Sequence, residues 1–526
     1  MTGWSNLCAA AGAAAVLAGG ACSAEPSAAA KDVGLAADGS NAADSDALAG
    51  IDAGRRAPAD VSSETASVAD SAVADSAVAD AAGTDAKQDA APGDAAGGDV
   101  ALADTSPAAV GGADAGCTTD CSDNNPCTKD SCTAGTCVNT PMSGSCDDGD
   151  PCSEADSCAQ GKCAGKKQYW VKEFGGPGDD AGLAVAVTGT DTVIVGFGGG
   201  GSGGDRYSTF LRLDKLGATK AQESYPAVGN DELTALVATD KGWLAVGTVV
   251  QPSKEMQSRA VLVDENGTLL QQLPLGAGEL YGVAPVPTGG YLAAGYREDS
   301  LGTLKLLLMK LGPDGGKQWE QLHGTSGFEV AWGLASLPDG GAVSIGDTAP
   351  GGLGPHLSLQ RFDAVGKSIW QRTFADAGQD NGWAVARLLG AAGALEGYVV
   401  AGSRKEPGAS AIKPWVMRLD AAGKELWQSF VAGQDTGAAR AIAATAAGDF
   451  ASAGARNVGL KQEYALWITS SAGVAKWSYV AGSGEARAVA IQPGALVAVG
   501  TSASGAEAGN LKVVRIALAG PGQCGP

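Results

Sequence analysis

From residue 166 onward, apolar and polar positions alternate in short runs, each broken by Gly, Asn or an Asp-x-x-Gly turn. Alternation with a period of two marks half-buried β-strands, and the close spacing of turn residues leaves no room for packed helices. The arrangement recurs at about 50 residues, which is the signature of a repeat architecture. The pattern is a Trp opening a strand, an acidic residue, a small-residue strand, a strand ending in Gly, an apolar strand and an Asp-x-x-Gly turn. One copy reads Trp370, Asp380, WAVARLL, YVVAG ending at Gly402, then WVMRLDAAGKEL, with Trp427 opening the next. The strand-ending glycines are Gly196, Gly247, Gly295, Gly346, Gly402, Gly454 and Gly500. The opening tryptophans are Trp170, Trp319, Trp370, Trp427 and Trp477, with Ala221 and Leu270 near that slot in the second and third copies.

Four short strands per repeat match a propeller blade, whose two apolar faces are buried when neighbours pack around a ring. The expected fold is all-β: a seven-bladed β-propeller of four-stranded blades over 166–526. The strand after each acid is small where strands converge on the axis (Ala184, Ala235, Gly282, Gly333, Ala384, Ala439 and Ala488). That accounts for much of the excess of glycine, 80 residues in all. The last copy ends at VVRIALAG without a Trp strand, while QYWVKEF at the start has no preceding blade. The strand around Trp170 is therefore expected to close the ring as the outer strand of the last blade, hiding two sheet edges. This repeat resembles the tryptophan-containing propeller repeat of bacterial surface proteins, related in style to quinoprotein-like propellers.

The chain ahead of the repeats divides in three. Residues 1–22 hold an apolar run too short to span a bilayer and read as a signal peptide. Cys22 follows Leu17-Ala18-Gly19-Gly20-Ala21, which resembles the lipobox of bacterial lipoproteins and implies a lipidated Cys22, an outer-membrane or cell-surface location, and contact with a membrane only through that anchor. Secretion after ordinary cleavage is the alternative. Residues 23–116 are low in complexity, with SVADSAVADSAVAD repeating. They carry a net charge of −13 of the chain's −22 and too few large apolar side chains to offset ordering entropy, so a disordered tether is expected. A coil of that length spans roughly 50 Å.

Residues 117–165 hold nine of the twelve cysteines: Cys117, Cys121, Cys127, Cys132, Cys137, Cys146, Cys152, Cys158 and Cys163. The units CSDNNPCTKDSCTAGTC and CDDGDPCSEADSCAQGKC are duplicates. They resemble short cysteine-rich repeats of surface lipoproteins from myxobacteria and related bacteria. A segment this small and this rich in cysteine needs disulfides for stability and an oxidising compartment to form them. Nine is odd, so one module cysteine is expected to pair with Cys524; Cys163 is the first choice, being nearest the ring closure, with another module cysteine as the alternative. Asp147, Asp148, Asp150 and Asp156 offer the oxygen ligands calcium prefers, although Asp and Gly in tight loops serve turns as well. No other cofactor is expected.

The propeller itself is near neutral, and without a basic stripe nucleic acid is excluded as a partner. Every copy places an acid before its small strand: Asp180, Asp231, Glu279, Glu329, Asp380, Asp435 and Glu485. These seven form a candidate acidic ring at the channel mouth, or else serve as turn acceptors in the scaffold. The Asp-x-x-Gly spacing departs from the sialidase repeat, and the propeller has no vicinal cysteine pair of the kind quinone-dependent dehydrogenases carry. His323 and His356 fall in different repeats and read as surface or loop residues. Tyr207 and Trp383 near the upper loops are candidates for stacking on sugars. The expectation is a monomeric, non-enzymatic surface module that binds a protein or glycan, with a glycan-active enzyme or a structural envelope lipoprotein as alternatives.

Overall fold

The computed structural model describes residue 117 and residues 120–518, apart from 151–152, 168, 177, 200–205, 226–228, 325–326, 351–355, 375–379, 406–410, 434 and 503–508. The signal, lipidation and tether regions, with Cys22, Cys152 and Cys524, therefore lie outside the described residues.

Residues 170–517 form seven four-stranded antiparallel sheets, each in simple sequential order except the last. That sheet is completed by the strand Trp170–Phe174, which pairs antiparallel with Leu511–Ala517 from Leu511↔Phe174 to Arg515↔Trp170. The expected closure is thus present. The innermost strands, Ala181–Thr188, Asn230–Thr239, Glu279–Pro285, Gly327–Ser336, Asp380–Leu389, Thr436–Ala444 and Glu485–Gln492, each pack on the next around a closed circle. Apolar clusters fill the gaps between blades. Leu244, Leu280 and Leu307 bridge the second and third, Tyr398 and Ile345 the fourth and fifth, and Ile194 and Val499 the first and last.

The recurring Trp and the Asp-x-x-Gly turn are two halves of one joint. In the turns, Asp Oδ1 accepts two backbone N–H groups, as Asp214 does from Leu216 and Ala218 at 2.8 Å. The Gly sits at positive φ, +73° at Gly217. Trp170, Trp319, Trp370 and Trp427 on outer strands each lie against that Gly in the following blade: a Cβ on Gly217 would come within 2.7 Å of the Trp170 ring, and one on Gly423 within 2.8 Å of Trp370. The indole N–H caps the same turn, Trp170 Nε1 donating to Lys215 O and Trp427 Nε1 to Ser471 O. Where the second blade meets the first, which lacks the Trp, Phe210 and Tyr225 occupy the space over Gly267.

The strand order gives the ring two unlike faces. One carries the Asp-x-x-Gly turns; the other carries the longer connections between blades, where each innermost strand begins. The cysteine-rich module meets the turn face, where Glu154 pairs with Lys215. It consists of two hairpins, Thr128–Thr133 with Thr136–Pro141 and Ser153–Ala159 with Lys162–Lys167. Four disulfides hold it: Cys117–Cys132, Cys121–Cys137, Cys127–Cys158 and Cys146–Cys163. Cys163 is therefore not the partner of Cys524. The hairpin places Cys163 beside Cys158 in register, and the first cysteine of its own unit, Cys146, takes it, repeating the bond between Cys121 and Cys137.

Candidate functional site: the channel mouth

All seven innermost strands are interrupted by the same β-bulge. Pairing runs through the strand-ending glycine of the second strand and then skips one residue, as at Ala331↔Gly346 followed by Gly333↔Ile345. The glycine is the cause and the sequence mark of the bulge, since its missing side chain makes room for a carbonyl turned out of the ladder. A Cβ on Gly196, Gly247, Gly295, Gly346, Gly402, Gly454 or Gly500 would lie 1.9–2.0 Å from a carbonyl oxygen of the innermost strand.

The skipped residues are Leu183, Thr234, Tyr281, Trp332, Trp383, Arg440 and Arg487, one per blade. All seven stay partly accessible amid buried neighbours. Five of them form a chain around the axis. Tyr281 meets Trp332 edge-on at 5.0 Å, Trp332 meets Trp383 at 5.6 Å, and the Arg440 guanidinium lies 4.0 Å over the Trp383 ring. Arg440 Nε and Arg487 Nη2 both reach Glu485, each at 2.7 Å. Interactions also cross the ring, from Arg440 to Asp347 two blades away and from Arg487 to Glu232.

Burial dominates the electrostatics. It pushes Asp347 up to about 6, against donation from Trp332 Nε1 at 2.7 Å and Asn381 Nδ2 at 3.2 Å. Burial, then the charge of Glu279, raises Glu232. The Tyr281 hydroxyl is raised by burial and by Glu279, whose two oxygens accept from Tyr281 and Tyr296. Burial works to raise Glu485 as well, but Arg440 and Arg487 outweigh it and leave the carboxyl below its ordinary range.

The seven repeat acids sit beside this ring without forming an open one of their own. Asp180, Asp231, Glu279, Glu329, Asp380 and Glu485 are buried, and only Asp435 is appreciably exposed. Each is engaged: Asp180 by Gly176 N–H, Asp231 by Arg259, Glu279 by the two tyrosines, Glu329 by Gln371, Asp380 by Arg404, Asp435 by Arg456, and Glu485 by two arginines. These bonds lie within a blade or tie it to its neighbour. Asp231, pushed up to about 6 by burial, keeps a partner in Arg259.

In the module, Asp147, Asp148 and Asp156 bring carboxylate oxygens within 4.8 Å of one another, whereas Asp150 pairs with Lys167. The oxygens of Asp148 are taken by Asp150 N–H, Gly165 N–H and Ser153 Oγ, and backbone donation from Asp150 and Gly165 lowers its carboxyl. His323 and His356 lie in strands rather than loops, both partly buried. His323 rests 4.7 Å from Phe362, and burial lowers its affinity for a proton. Of the two aromatic residues singled out from sequence, Trp383 belongs to the channel ring, while Tyr207 lies on the third strand of the first blade.

No protein-family model matches the chain, and no curated protein matches it either. Among solved structures it is similar to Sqt1 from Chaetomium thermophilum, in one structure at 14% identity over 63% of this chain and 85% of that one, TM-score 0.39. A second Sqt1 structure gives 15%, 66%, 85% and 0.41. The Dos1 propeller gives 9% identity over 65% of this chain and 95% of that one, TM-score 0.41. The fold stands on the strand topology of the chain itself.

Proposed function

We propose that this protein is an exported, surface-displayed binding module, anchored through a lipidated Cys22, that presents its propeller to a glycan or protein ligand. The observation that carries this reading is the contrast between a scaffold repeated seven times and an axial ring whose residue type changes around the circle. A purely structural ring has no use for one aliphatic, one hydroxyl, three aromatic and two guanidinium side chains at equivalent places. A mixture of partly accessible aromatic and charged groups is a common make-up of recognition sites. Four disulfides in one small module support maturation in an oxidising compartment. The module's contact with the turn face supports display of the opposite mouth away from the attachment.

Two measurements test the reading together. Membrane fractionation is expected to find the wild type with membranes and Cys22→Ser released. A glycan array, run with a turnover screen, is expected to show retention without product. Product formation supports the glycan-active alternative, and silence in both assays supports a structural role.

A further inference from the structure

We infer that the second cysteine-rich unit is a redox-dependent clasp on the propeller seam: with its disulfides formed, Glu154 ties the first blade to the last, and with them reduced that joint loosens. The inference goes beyond the display reading and needs no ligand at the channel mouth. At the seam the ring depends on a strand from its far end. Trp170–Phe174 adds five registered pairs to the last sheet, whereas the other two ladders of that sheet hold seven each.

Each side of this joint offers a cation to the module. Lys215 belongs to the turn of the first blade, and its carbonyl accepts the Trp170 indole N–H at 3.1 Å. Lys172 Nζ, on the closing strand, donates to Leu216 O and Gly217 O of the same turn at 3.0 and 2.7 Å. Arg515 stands opposite Trp170 in the last sheet and donates through Nε to Gln492 at 2.9 Å. Gln492 Nε2 in turn donates to Thr190 O, Asp191 O and Thr192 Oγ1 of the first blade at 3.2–3.3 Å. Glu154 addresses both cations: its carboxylate accepts from Lys215 Nζ, and its charge acts on Arg515. The Arg515 guanidinium also lies 5.4 Å from the Tyr169 ring, between module and seam strand.

Disulfides rather than a core hold Glu154 in place. Among the described residues of the module only Cys127 and Cys158 are buried, and they are bonded to each other. Cys146–Cys163 ties the segment ahead of Glu154 to Lys162–Lys167, the strand that pairs with it. A segment of this size without an apolar core loses its fold when such bonds are broken. Each disulfide reduced by a dithiol takes two electrons and two protons from it, giving two cysteine thiols and the reductant as a disulfide, and a disulfide oxidant reverses the exchange. Where thiols stay reduced, the ring is left to its five seam pairs; on oxidation the clasp forms.

The test is hydrogen exchange, read by mass spectrometry, on the full chain carrying Cys152→Ser and Cys524→Ser, so that neither cysteine can bridge the module and the C-terminal segment. Exchange at Trp170–Phe174 is compared with exchange at His356–Phe362, a strand of the fourth blade, before and after dithiothreitol. The seam is expected to exchange about tenfold faster after reduction while the reference strand holds its rate. In the oxidised protein Glu154→Gln should speed the seam by about two- to fivefold, as befits a half-exposed ion pair. Reduction of that variant should take it no further than the reduced parent, because the contact is then already lost. Seam exchange that reduction leaves unchanged, or that rises equally at the reference strand, overturns the inference. So does an oxidised Glu154→Gln protein whose seam exchanges at the parent's rate.

Discussion

Replacing Gly402 with alanine tests the link between the repeat glycine and the channel ring. The added Cβ would stand 1.9 Å from Asn381 O and 3.1 Å from its carbonyl carbon. Contacts under 3.0 Å are essentially never made by a real Cβ, so the bulge must move, because both colliding atoms are backbone and neither can rotate away. Two effects compete. Alanine restrains the unfolded chain and gains about 0.5–1 kcal/mol over glycine in a strand. Overpacking a closely fitted site costs about 1–3 kcal/mol, and backbone offers the least relief. The net expectation is destabilisation of about 1–2 kcal/mol. Trp383 follows Gly382, the register partner of Gly402, so its surroundings should change as well. Urea unfolding and tryptophan emission of Gly402→Ala report both, with Gly176→Ala as control, since a Cβ there meets nothing within 4 Å and the backbone is not in the left-handed region. An unchanged midpoint and emission spectrum for Gly402→Ala would refute the argument that the glycine exists to admit the bulge.

Two further outcomes follow from buried groups and cysteine pairing. The Asp347 carboxyl, raised to about 6 by burial, keeps its proton in the fold over a range where the unfolded chain has lost it. Its contribution is therefore fully present below about pH 4 and falls away as pH rises through 6, by about 1–3 kcal/mol. Asp347→Asn should flatten that part of the stability profile, and a profile identical to wild type refutes the assignment. In the module, the second cysteine of the first unit, Cys127, bonds the third cysteine of the next, Cys158, and Cys117 bonds Cys132 in the same sense. Continuing the pattern leaves Cys152 for a cysteine downstream, and Cys524 is the sole one that follows the module. Non-reducing peptide mapping of the exported protein is expected to recover a fragment joining Cys152 to Cys524, and a free thiol at either position refutes it.

The fold was legible because its determinants recur. Seven glycines, seven acids and five tryptophans at one spacing count the blades, and an orphan strand at one end with a missing strand at the other announces closure. The ring was harder to read. Tyr281, Trp332, Arg440 and Arg487 break no hydropathy pattern, because one extra residue in a strand looks like ordinary alternation shifted by a place. Their mark was nonetheless present in the strand-ending glycines, since a glycine opposite the innermost strand in every repeat signals a bulge there. The acids misled for a related reason: recurrence in all seven blades is what a scaffold requires, while recognition calls for difference. Cys163 was misassigned because parity shows that one cysteine looks outward without showing which, and proximity along the chain is a poor guide once hairpins fix the register.

The seam that closes the ring also decides how the molecule bears a pull. The chain passes from the cysteine-rich module directly into Trp170–Phe174, entering at the turn face and running toward the mouth. Force applied through the module while the mouth is held acts along this strand, so its five registered pairs with Leu511–Arg515 are sheared together. They are not peeled open one after another. Loaded this way the seam resists as five pairs in parallel, a geometry that suits the proposed role of a displayed, ligand-binding domain.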